Sequence, residues 1–83
     1  MNVAACNNFR TNLRTALRVK NMSQNELAAA VGTKGPYVNR VLQGHTEPGI
    51  DQCEKLARAL GFPLVALLQS PKDFEESVLT TAN

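Results

Sequence analysis

An all-α fold, a compact bundle of about five short helices, is the architecture this sequence predicts, and three observations carry the prediction. Leu, Ala and Val dominate its apolar residues, a composition that favours helices. Those residues recur at three- and four-residue spacing, the period of a helix with one buried face. Each periodic stretch is also punctuated, by Ser, Asn or Pro in front and Gly behind. With 83 residues the chain has surface to bury around one core only. One domain over 1–83 is expected, with its core over about residues 9–69 and residues 70–83 as a tail or short helix.

Phe9, Leu13, Ala16 and Leu17 share one face, and either Asn7 or Asn8 is placed to cap it, which predicts a first helix over about residues 8–20. Ser23-Gln24-Asn25-Glu26 is a capping box, in which the serine hydroxyl takes a backbone N–H and the glutamate reaches back. The second helix starts there, with Leu27, Ala28 and Val31 inward, and Gly32 stops it after about two turns. Thr33-Lys34-Gly35-Pro36 turns the chain into a third helix, whose first turn tolerates Pro36 because the N–H there has no partner. Val38, Val41 and Leu42 form its inner face and Gly44 ends it. After a loop through Pro48, Ile50, Cys53, Leu56, Ala57 and Leu60 stripe a fourth helix that Gly61 breaks. Pro63 opens a short fifth helix through Leu68, and Ser70-Pro71-Lys72-Asp73 begins a terminal one carrying Phe74, Val78 and Leu79.

Charge is distributed unevenly. Residues 1–46 hold Arg10, Arg14, Arg18, Lys20, Lys34 and Arg40 against Glu26 alone. Residues 47–83 hold Lys55, Arg58 and Lys72 against six carboxylates. One basic face offered to a polyanion is consistent with this, as is an ordinary solvated helix surface. Other classes are excluded more firmly. The longest apolar run, 62–68, contains Pro63 and is too short to span a bilayer. Val3-Ala4-Ala5-Cys6 superficially resembles a lipoprotein cleavage box but has no basic or hydrophobic leader before it, so a cytoplasmic protein is expected. Cys6, Cys53 and His45 have no metal or redox spacing, so no metal and no cofactor are expected. Without a nucleophile and base at useful spacing, a phosphate loop or a carboxylate dyad, catalysis is not expected either.

The pair of helices over 24–43 is therefore the place to seek function. Two short helices cross steeply only when the contact is small and the turn flexible, as Ala28 and Gly32 allow. With Ser23-Gln24, Leu27-Ala28, Val31-Gly32, Val38 and Gly44, then Pro48, Leu56-Ala57 and Ala59-Leu60-Gly61, the segment over about residues 9–69 resembles the helix-turn-helix family of the phage lambda repressor and Cro. The resemblance implies that the third helix enters the DNA major groove while the start of the second meets the phosphate backbone. It makes Gln24 a phosphate contact and Lys34, Asn39, Arg40 and Gln43 groove-facing, with Arg40 the best match to guanine and Asn39 to adenine or a phosphate. Tyr37 is a candidate for a sugar or thymine-methyl contact, His45 for a phosphate, and Arg14 and Lys34 for cationic phosphate contacts. Gly35 and Pro36 stand where relatives commonly present long polar side chains, so fewer direct base contacts are expected. Glu47 stands where relatives often place a basic residue, so it would repel phosphate unless it turns away. Leu17 and Leu42 occupy positions where many relatives pair an arginine with a glutamate, and are expected to meet in the core instead.

The expected function is a sequence-preferring, DNA-binding transcriptional regulator, a repressor acting as a homodimer on a two-fold operator. The fifth helix with Phe74, Val78 and Leu79 is the candidate dimer surface, closure of the core being their other use. The alternative is an antitoxin-like interaction module of the same fold, gripping a toxin or other protein with its acidic half.

Overall fold

Six helices form among the described residues, the stretch expected as a tail or short helix being the sixth. The computed structural model describes residues 3–81, and residues 1–2 and 82–83 of the expected domain lie outside it. The helices are α1 (Val3–Val19), α2 (Gln24–Ala30), α3 (Gly35–Gln43), α4 (Ile50–Ala59), α5 (Leu64–Leu67) and α6 (Pro71–Thr81), with no strand among the described residues. The fold is all-α, as expected. No helix among those residues is long and apolar enough to cross a membrane.

The stop signals act through backbone conformation. Gly32, Gly44 and Gly61 all adopt positive φ, at 75°, 80° and 85°, the left-handed region that costs a Cβ-bearing residue energy. At Gly44 the missing side chain matters twice, because a Cβ there would also lie 3.3 Å from the Arg10 guanidinium. Asn21 takes the same region at φ 53° in the α1–α2 turn, where its short polar side chain is the usual substitute for glycine.

One hydrophobic cluster draws on all six helices, from Phe9, Leu13, Ala16 and Leu17 of α1 to Leu67 of α5 and Phe74 and Val78 of α6. Leu17 and Leu42, expected to replace an ion pair with an apolar contact, are both buried within it and border the same surface cleft. Phe74 meets Phe62 edge to face at 5.2 Å, and Lys20 places its ammonium 5.1 Å from the Phe62 ring centre.

The structure departs from expectation at the start of α1, at Ile50 and at Leu79. Helix α1 begins at Val3, not near residue 8, so Asn7 and Asn8 lie inside it and neither caps it. Asn8 instead donates from Nδ2 to the Leu68 carbonyl at 3.3 Å. Ile50 and Leu79 follow the helical period but sit at its edge, 57% and 61% exposed, because the rotation of each helix is set by its neighbours. Of the two uses open to Phe74 and Val78, both residues take the closure of the core, and Leu79 of that trio is left exposed.

One buried polar tie was invisible in the sequence. Asn12 is fully buried in α1 and donates to the carbonyls of Leu67 at 3.0 Å and Gln69 at 2.8 Å. Helix α5 is a single turn whose last carbonyls need outside donors, and Asn8 and Asn12, one turn apart on α1, supply them.

Candidate nucleic-acid interface

The interface is built from the start of α2 upward. Ser23 caps α2: its Oγ accepts from the Glu26 N–H at 3.0 Å, and Glu26 Oε1 accepts from the Ser23 N–H at 2.9 Å. The Ser23 backbone donor, with its hydroxyl second, holds the Glu26 carboxyl below the ordinary carboxylate range. This closed box fixes Gln24 as the first residue of the helix, half-buried at its foot.

The turn sets the crossing of α2 and α3. Thr33 donates its N–H to the Ala28 carbonyl at 2.8 Å, reeling the chain back over α2. Lys34 precedes α3 in extended conformation and makes no side-chain cap. Gly35 opens α3. A Cβ at that position would collide with the tip of the exposed Asn25 side chain, which would have to swing aside to admit a larger residue.

From there α3 divides cleanly. Val38, Val41 and Leu42 are buried, whereas Pro36, Asn39, Arg40 and Gln43 are exposed at positions i, i+3, i+4 and i+7. That spacing places them in one stripe on the outer face. Lys34, Tyr37 and Arg40 line a shallow groove with Gly32, Thr33 and Pro36. Tyr37 is half-buried against the core, and this desolvation pushes its phenol above the ordinary range. At the far end Gly44 turns left-handed, the His45 N–H donates to the Arg40 carbonyl at 2.9 Å, and the imidazole stands exposed just beyond the helix.

Two contacts join expected site residues to other parts of the fold. Asn39 Nδ2 donates to Gln24 Oε1 at 3.2 Å, linking the outer stripe of α3 to the first residue of α2. Arg14 Nη2 donates to the Leu42 carbonyl at 2.8 Å, so α1 satisfies one of the orphan carbonyls at the end of α3. Arg10, one turn earlier on α1, lies over Gly44 and donates to Asn7 Oδ1. It was not among the expected site residues, though its four-residue spacing from Arg14 was available to find it. Both guanidiniums sit where the helix dipole of α3 is negative. Glu47, expected to repel phosphate unless it turned away, accepts from the Cys6 thiol at 3.1 Å, and that hydrogen bond raises the Cys6 pKa.

A short helix, a glycine turn and a second helix with a polar outer stripe define the helix-turn-helix class. The family model described as helix-turn-helix matches residues 13–67, more than half of the chain. The chain belongs to that family, the Cro/C1 type of DNA-binding regulator. A search of the curated proteins and a search of the solved structures each gave no significant match.

Proposed function

We propose that this protein is a sequence-preferring transcriptional repressor that binds a two-fold operator as a cytoplasmic homodimer, folded as one domain. The observation that carries this is the exposed stripe of α3, Pro36, Asn39, Arg40 and Gln43, opposite the buried Val38, Val41 and Leu42. With α3 in the major groove, Arg40 reads guanine through its planar fork, Gln43 offers a second polar contact, and Tyr37 packs beside the sugar or a thymine methyl. Gln24 donates to a phosphate from the start of α2, while Lys34, Arg14 and His45 contact the backbone on either side of the groove. Arg10 joins the last group by its position over Gly44.

Magnitude argues for two copies. One helix with one or two base contacts, at about 1 to 3 kcal/mol each, falls short of the specificity an operator needs, and a second half-site supplies the rest. Val65 on α5, 70% exposed, and Leu79 on α6, 61% exposed, are exposed apolar residues on the two elements expected to make that contact.

Selection of bound sites from a random duplex pool tests the whole reading. Enrichment of a palindrome with half-sites one helical turn apart, about 34 to 36 Å, is expected. Enrichment of an undivided half-site would remove the dimer but keep DNA recognition. Failure to bind random duplex even at low salt would favour the antitoxin-like module, with the exposed carboxylates Asp73, Glu75 and Glu76 of α6 as its gripping face.

A further inference from the structure

An amide is a two-faced group. Glutamine presents an acceptor oxygen and a donor NH2 from one carbon, and rotation of the terminal torsion exchanges them. A phosphate offers acceptors only, so Gln24 grips it with one of those two orientations and repels it with the other. The side chain that decides between them is in place. Asn39 donates from Nδ2 to Gln24 Oε1 at 3.2 Å, a contact that fixes which end of the Gln24 amide is turned toward α3. An asparagine that reads adenine uses its oxygen and its amino group together on one base edge. Here the amino group of Asn39 is turned toward α2 instead.

We propose that Asn39 is a positioning residue: it orients the Gln24 amide so that its NH2 meets the phosphate, and contributes to affinity through Gln24 rather than by reading a base. The proposal rests on the DNA-binding function proposed above and assigns this residue a different part in it. It makes the start of α2 and the outer face of α3 one unit. Gln24 carries no charge, so the gain comes from preorganisation, the torsion being set before the DNA arrives.

The test is a double-mutant cycle on the full chain, titrated against one selected site and one scrambled duplex. Asn39→Ala is expected to weaken binding about fivefold on both duplexes and to leave the selected base preferences unchanged, as loss of a helped phosphate contact should. Combined with Gln24→Ala, it is expected to add nothing to the loss that Gln24→Ala causes alone. In a Gln24→Lys background Asn39→Ala is expected to have no effect, because an ammonium donates in every orientation. Asn39 is exposed, so its thermal unfolding midpoint serves as a control and should not move.

Multiplicative losses in the double mutant would overturn the proposal. So would a loss confined to the selected site with preference relaxed at one base pair, which would make Asn39 a base reader. If the wild type binds neither duplex, the DNA-binding function fails and the proposal falls with it, an outcome distinguishable from wild-type binding with independent losses.

Discussion

Arg14 Nη2 lies 2.8 Å from the carbonyl oxygen of Leu42, so the first helix holds the C-terminal end of α3 by a charge-assisted hydrogen bond. Relatives that pair an arginine with a glutamate at the positions of Leu17 and Leu42 would tie the same two helices through side chains. Here the tie survives with a backbone acceptor. Arg14→Ala should lower unfolding free energy by about 1 kcal/mol, measured by urea denaturation, with Arg14→Lys recovering part of it. The remaining guanidinium donors are available to phosphate. The same substitution, like Lys34→Ala, should reduce the slope of log affinity against log salt by about one.

Leu17 is buried against the cluster that includes Leu42. Leu17→Arg alone places a charge there without a counter-charge and should cost about 3 kcal/mol by denaturant melting. Adding Leu42→Glu should recover at least half of that cost. A double mutant no more stable than the single would mean that the site cannot accommodate the ion pair.

Arg40 and Gln24 should separate by sequence dependence. Arg40→Ala is expected to cost about 1 to 3 kcal/mol on a selected site, far less on a scrambled one, and to relax preference at one base pair. Gln24→Ala should weaken both complexes alike and leave the salt slope nearly unchanged, because a neutral amide releases few counterions. Equal losses for Arg40→Ala on the two duplexes would demote it to a backbone contact.

Burial holds the Cys53 thiol neutral, its pKa raised from 9.0 to about 11. The unfolded chain ionises first, so this thiol stabilises the fold below about pH 9, and its contribution is lost as pH rises through about 11. Stability should fall by about 2 kcal/mol across that interval relative to a Cys53→Ala variant compared at each pH. Tyr37 acts in the same direction, since burial raises its pKa too.

Asn12 satisfies two carbonyls in the interior. Asn12→Leu should cost about 2 to 3 kcal/mol in thermal or urea unfolding, because both are left unpaired. Asn12→Asp should be worse at pH 7 than at pH 4. A buried carboxyl facing carbonyls has a raised pKa, so it donates when protonated and repels once ionised.

What was legible in the sequence is what short-range physics writes there. The Ser23 box, the left-handed glycines 32, 44 and 61, and the stripes of α1 and α3 each follow from a residue's own conformational preference or from a period. The ties were not legible. Asn8 read as a cap because asparagine favours helix ends, yet both it and Asn12 act on carbonyls more than fifty residues away. Ile50 and Leu79 kept the period but not the burial, since periodicity fixes which residues share a face and tertiary packing fixes where that face points. At the interface, the outer stripe followed from spacing. The Arg14 to Leu42 and Asn39 to Gln24 bonds depend on how α1 and α2 cross α3, which no local pattern records.

Asn12 and Arg14 are two residues apart on α1, about 3 Å along its axis, and one grips the end of α5 while the other grips the end of α3. In a dimer closed through α5, that short stretch of α1 is a gauge: it sets how far each reading helix stands from the symmetry axis. Such a dimer, held by these two ties, would have little slack with which to follow an operator whose half-sites are spread by one extra base pair. Each such insertion rotates the second half-site by about a tenth of a turn, and the duplex alone must supply the compensating twist. Two operators with identical half-sites would then be told apart by the length of the spacer between them.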